Sequence, residues 1–262
     1  MASSPIKIAI IDMYDDTTNL GMTCILGILE KWSEQGSIPI QYEIFPLRNK
    51  CKIPDHKFDI YISTGGPGSP IDSAGSPWDN LYVNWLQEML EYKKPVLLIC
   101  HSFQIACRHF NFGNVCLRKS NQIGVLPVHP LAHDPIFKNL NDPFYTLESR
   151  LYQIIEPNDE KIAALGAKII ALEKDRPHVP LERAIMAIKF SDKMYGVQFH
   201  PEGESNILVD YFNETIIKNN IIEKFGEQKW SVIMGKLTDP TKLPKTYTHF
   251  IPNFLNLAIG NL

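Results

Sequence analysis

The chain has no CxxC pair, no Walker A loop, no internal repeat and no apolar run approaching the roughly 18 residues a membrane helix needs. Each absence removes a class. Without paired cysteines a structural zinc site is not expected, and His129 and His133, at helical spacing, have Pro130 between them. Twenty-six basic against 29 acidic residues give a net charge of −3, so no basic footprint for nucleic acid exists. The opening "MASSPIKIAIID" has neither the basic region nor the apolar core of a signal peptide. The expectation is a cytoplasmic chain with no membrane or nucleic-acid partner, no metal and no cofactor. The five cysteines are odd in number and scattered, as suits reduced thiols. Cys24, Cys107 and Cys116 read as core-packing residues.

What is present reads as one α/β unit. Hydrophobic residues at 44% and charged residues at 21% over 262 positions are ordinary globular values. "IKIAIIDM" is a continuous apolar run, "IQYEIFPL", "FDIYIST" and "PVLLI" read as further strands, and helical spacing follows three of the four. That alternation predicts a mainly parallel sheet with helices on both faces, functional loops lying at the carboxyl ends of the strands. "GNVCLRKSNQIGVLPVHP" and "DPFYTLESRLYQIIEP" suggest short extended pieces, and "ERAIMAIKF" with "SDKMYGVQF" a hairpin. A helix is expected from about 205 to 219. The expected division is a main domain over 1–220 and a helical extension over 221–262. The terminal "FIPNFLNLAIG" is amphipathic, and should pack on the main domain or across a homodimer interface.

The chemistry centres on "PVLLICHSFQIA", where a buried strand ends at Cys100 and turns directly into a helix. Such a turn projects the side chain from the sheet edge and sets a helix N-terminus behind a thiolate. The N–H of His101 then points toward the same spot and can serve an oxyanion. The base is far along the chain, in "GVQFHPEGES". His200 and Glu202 are two apart, so an extended backbone puts both on one face, with Pro201 stiffening it. Glu202 would orient the imidazole while His200 takes the proton from Cys100. "GGPGSP" after the third strand adds a backbone that can approach a substrate closely. The doublet Asp15 and Asp16 reads as a solvated loop, and Trp78 and Trp85 as packing residues.

With "GGPGSP", "PVLLICHSFQ" and "GVQFHPE" in this order, the chain resembles the class I glutamine amidotransferases over about residues 6–215. "IDMYDDTTNL" is similar to that family's first strand and loop. The resemblance implies a flavodoxin-like fold and a Cys100–His200–Glu202 triad. It further implies an oxyanion hole from Gly66 and the His101 amide, and substrate contacts from Gln104, Ser149 and Arg150. The substrate would be glutamine or a γ-glutamyl compound, and an ammonia acceptor would require a synthetase on a separate chain. Three positions depart from the family pattern. Leu98 and Ser102 replace its two elbow glycines, and Arg150 stands where a histidine is common. "IGVLPVHP", "ESRLYQ" and "FLNLAIG" also resemble the homoserine O-acyltransferases, which share fold and triad. There an arginine follows the glutamate by three residues, and this chain has Ser205. A catalytically inactive binding protein on the same fold is the remaining alternative.

Overall fold

The computed structural model describes residues 4–260 except 18 and 179. Its first half alternates: β1 (Ile6–Asp12), α1 (Leu20–Gly36), β2 (Ile40–Pro46), a short α2 (Leu47–Lys50), β3 (Ile60–Ser63), α3 (Pro77–Glu91), β4 (Val96–Ile99) and α4 (His101–His109). A hairpin of β5 (Asn114–Pro130) and β6 (Phe144–Ile155) follows. Then come α5 (Asp159–Leu165), β7 (Lys168–Glu173), β8 (Ile185–Lys189) and β9 (Met194–Val197). The last elements are α6 (Ser205–Asn213), α7 (Thr215–Phe225), α8 (Glu227–Leu237) and α9 (Leu243–Ala258).

The strands form one nine-stranded sheet in the order β2-β1-β3-β4-β9-β8-β7-β5-β6. β2, β1, β3, β4 and β9 pair in parallel, whereas β8, β7, β5 and β6 continue the sheet antiparallel. This is the flavodoxin-like α/β arrangement with a mixed sheet. Side-chain alternation sorts the core into two layers. Ile8, Ile10, Leu97 and Ile99 join α1 and α9 on one face, while Ala9, Ile11, Val96 and Leu98 join α3 and α4 on the other. All eight are 0% exposed, which explains why these strands read as continuous apolar runs.

Local chemistry fixes the helix starts on the α3/α4 face. Ser76 caps α3 and Pro77 fills its first turn, where a missing N–H costs nothing. Asp79, in the first turn of α3, accepts both contacts of a partly buried ion pair. The Arg108 Nη2 of α4 lies 2.6 and 2.8 Å from its oxygens.

The second half differs from expectation in three places. β5 is one strand of 17 residues instead of short pieces, its ladder with β6 breaking only between Leu117 and Gln122. The helix expected over 205–219 is two helices. Glu214 leaves the helical region (ψ 130°), and α6 and α7 then bury Leu208, Phe212 and Ile221 in one apolar cluster. The expected boundary between 220 and 221 falls inside α7. Furthermore, α9 supplies Tyr247, Phe250, Phe254 and Leu255 to the main core on the α1 face. Its seat is specified by polar contacts: Asn253 Nδ2 donates to the carbonyls of Ile136 and Lys138, and Trp32 Nε1 donates to Asn256.

Candidate active site

The site lies at the carboxyl ends of the parallel strands. Cys100 joins β4 to α4 with φ 49° and ψ −98°, a conformation that a non-glycine residue holds only when its surroundings impose it. Two backbone bonds impose it here. The Cys100 N–H donates to the Val197 carbonyl of β9 at 2.7 Å, and the Cys100 carbonyl accepts from the Gln104 N–H at 2.9 Å. The thiol is thereby lifted off the sheet edge at the N-terminus of α4.

His200 and Glu202 follow β9 directly. The His200 N–H donates to the Leu147 carbonyl of β6 at 2.9 Å, and this isolated bridge holds the segment extended. His200 Nδ1 lies 2.8 Å from Glu202 Oε1, with the carboxylate side chain 2% exposed and the imidazole 16%. Burial by itself would depress the imidazole pKa. The negative charge of Glu202 and of Cys100, together with hydrogen bonds to both, raises it well above its ordinary value. His200 is therefore set to hold a proton between a carboxylate and a thiol.

The adjacent glycines of "GGPGSP" make this convergence sterically possible. A Cβ on Gly65 would stand 2.8 Å from His200 Cε1 and 3.5 Å from the Cys100 Cβ, so only a glycine lets the β3 loop touch the imidazole edge. A Cβ on Gly66 would collide with the Met13 carbonyl at the end of β1. Gly66, Cys100, His200, Glu202 and Ser149 all line one cavity of about 700 Å³.

This geometry is matched by similarity to known proteins. The family model for class I glutamine amidotransferases matches residues 27–232, most of the chain. The chain belongs to that family. Among curated relatives, the GMP synthase [glutamine-hydrolyzing] of Chlorobaculum tepidum is 26% identical over 195 residues. The match takes in 72% of this chain and only 33% of that protein's length. A glutamine-hydrolyzing GMP synthase subunit from Ignicoccus hospitalis is 29% identical over 148 residues, 56% of this chain and 68% of that one. Among solved structures, a glutamine amidotransferase from Thermotoga maritima superposes with a TM-score of 0.71 at 15% identity. It covers 98% of this chain and 99% of that chain, a likeness of fold.

The elbow here is built without the two glycines that the resemblance implies. Leu98 is fully buried between β3 and β9, packed in the α3/α4 layer. Ser102 is equally buried and joins a chain of hydroxyls. Tyr82 donates to Ser63, Ser63 and Ser102 lie 2.8 Å apart, and Ser102 donates to the Thr64 carbonyl just before Gly65. The serine thus ties the elbow to the glycine loop through polar atoms that a glycine lacks.

Two residues that the resemblance implies as substrate contacts turn their side chains away from the cavity. Gln104 lies on α4, 3% exposed, and its Nε2 donates to Gln198 Oε1 at 3.2 Å instead of lining the cavity. Gln198 Nε2 in turn donates to Cys100 Sγ at 3.7 Å, so Gln104 reaches the thiol only through Gln198. Arg150 is neighbour to Ser149 on β6, and alternation sends the two side chains to opposite faces. Ser149 faces the cavity, whereas Arg150 is 0% exposed between Glu148 at 2.8 Å and Glu173 at 3.3 Å. The arginine is a structural ion-pair partner.

His101 contributes its backbone. As the first residue of α4, its N–H belongs to the helix turn that lacks intrahelical acceptors. Its side chain is 1% exposed beside Trp78, and burial, then Arg48 and Arg108, push its pKa down to about 3. It is a neutral imidazole under the elbow.

Sequence reasoning missed Tyr14. It follows β1 and lines the cavity. Burial first, then the charge of Glu202, hold its phenol pKa well above the ordinary value, so it stays a hydroxyl donor. Gly21 leaves room for it: a Cβ there would collide with Tyr14 Oη and stand 3.2 Å from Glu202 Oε1. The available signal was its place at the carboxyl end of a parallel strand. Among the described residues, no group of His, Cys, Asp and Glu could hold a metal ion, and no helix is long and apolar enough to cross a membrane.

Proposed function

We propose that the protein hydrolyses the side-chain amide of glutamine, or of a γ-glutamyl compound, through a thioester on Cys100. The single observation carrying this reading is the thiol at a strained elbow sharing one cavity with a buried His200–Glu202 pair. In the first step Cys100 Sγ bonds to the amide carbon. The amide C–N bond breaks, and the thiol proton passes through His200 to the departing nitrogen. The N–H groups of Gly66 and His101 receive the transient oxyanion. Water then attacks the thioester, His200 returns a proton to the sulfur, and glutamate leaves. Glu202 keeps the imidazole oriented throughout, and Ser149 and Tyr14 meet the polar end of the substrate.

By analogy with relatives named as GMP synthase subunits, the ammonia passes to a synthetase on a separate chain, in the cytoplasm. The test is intact-mass analysis after exposure to the diazoketone analogue of glutamine, with peptide mapping. One adduct on Cys100, together with ammonia release abolished in Cys100→Ser, is the expected result. An adduct on Cys107 or Cys116 with Cys100 unmodified would overturn the reading.

A further inference from the structure

The catalytic cavity is larger than glutamine chemistry requires, and its two sides differ. At about 700 Å³ it lies in the roughly 300–1,000 Å³ range of sites that enclose drug-sized ligands. A primary amide positioned for attack by Cys100 occupies the polar side, near Tyr14, Ser149 and Glu202. The opposite side belongs to the second half of the chain. There Leu147 of β6, Leu208, Tyr211 and Phe212 of α6, and Ile217 and Ile221 of α7, members of one apolar cluster, form a wall beside Glu214 and Asn220. These residues also pack on Ile233 and Leu237 of α8, so the wall is anchored from behind. Ammonia has no apolar surface to bury there.

Charge narrows the occupant. Among the described residues lining the cavity there is no lysine or arginine, while Glu202 and Glu214 are both present. A phosphate or carboxylate on the amine portion of the substrate would find no lysine or arginine, and would meet Glu214. A neutral aromatic or branched aliphatic group suits both the surface and the field.

We propose that this wall is a subsite for the substituent on the amide nitrogen, so that the preferred substrate is a γ-glutamyl amide of an apolar or aromatic amine. The inference rests on the thioester reading above and specifies its substrate. The same two steps apply. Cys100 Sγ displaces the amine, which leaves with the proton from His200, and water then cleaves the thioester to glutamate. The substituent's contacts with the wall hold the scissile carbonyl against the elbow.

The test separates subsite from chemistry by using binding. Calorimetry on the full-length Cys100→Ser protein compares γ-glutamylanilide with glutamine and with γ-glutamylglutamate. The expected result is at least tenfold tighter binding of the anilide than of either other ligand. Adding Ile217→Asn, which changes a half-buried wall position, should reduce that preference at least fivefold, with the circular-dichroism melt confirming the fold. Glutamine binding as tightly as the anilide, or a preference indifferent to Ile217→Asn, would overturn the subsite. So would absence of anilide binding. None of these outcomes affects the diazoketone experiment, whose failure instead removes the thioester chemistry and leaves the ligand preference measurable.

Discussion

The parallel and antiparallel halves of the sheet divide the work. β1, β3, β4 and β9 end in the loops that carry Tyr14, the glycine pair, Cys100 and the His200–Glu202 segment. β5 to β8 carry no part of the triad, yet β6 holds His200 in line through the Leu147 carbonyl and presents Ser149. The helices after β9 then wall the cavity and complete the core. One half carries the proposed reacting groups, and the other holds them in line and walls the cavity they share.

The largest expected effect breaks the idea that the C-terminal helices are an appendage. Phe250 is 0% exposed, with ring centroids 5.3 to 6.5 Å from Phe137, Phe144 and Phe199. A single Phe→Ala change at such a site costs about 3–5 kcal/mol. Deleting residues 243–262 removes several such side chains, against a total stability of about 5–15 kcal/mol for a typical domain. The truncated chain is expected to be unfolded by circular dichroism. A cooperative melt near that of the full chain would show that α9 is dispensable.

Next comes a pH effect confined to the parallel half. The unfolded chain protonates His101 near pH 6.5, and the folded chain resists until about 3. Between those values the unfolded state binds more protons, so stability falls as pH falls, by about 1.4 kcal/mol per pH unit from this residue. His101→Asn should flatten the slope by that amount in urea titrations at pH 6.5, 5.5 and 4.5. An unchanged slope would mean that His101 is protonated, or hydrated, in the folded state.

A smaller effect sharpens the roles within the triad. Glu202→Gln keeps shape and removes the charge that raises the His200 pKa, so turnover should drop at least a hundredfold. The basic limb of the protonation of His200, followed by NMR, should move to lower pH. A normal rate in this variant would assign the orienting role elsewhere.

Legibility follows the same division. The central parallel strands β1, β3 and β4 can be read because each is buried on both faces and so is a largely apolar run, whereas β2 at the sheet edge is mostly exposed. The elbow can be read because Cys100 abuts both strand and helix. The adjacency of His200 and Glu202 needs only the two-residue period of extended chain. β5 reads as fragments because its polar residues at 118–122 interrupt the pattern where the ladder itself is irregular. Arg150 and Gln104 enter through a motif that says nothing about which way each side chain points. Strand parity alone excludes Ser149 and Arg150 facing one cavity together. The break at Glu214 has no proline or glycine to announce it, and arises because α6 and α7 turn to bury separate residues in one cluster. Only its place at the carboxyl end of β1 points to Tyr14, since its neighbour Glu202 is far away in sequence.

The central claim is that Cys100 is activated by its surroundings, and the five cysteines provide an internal control. Cys51 is exposed, whereas Cys100 is 7% exposed. On access alone, alkylation should strike Cys51 first. Peptide-resolved rates with iodoacetamide in the native protein measure the competition directly. The account predicts that Cys100 reacts faster than Cys51 and the other three, and that His200→Asn abolishes this advantage. Cys51 reacting first while Cys100 stays inert, in protein that melts cooperatively, would contradict it.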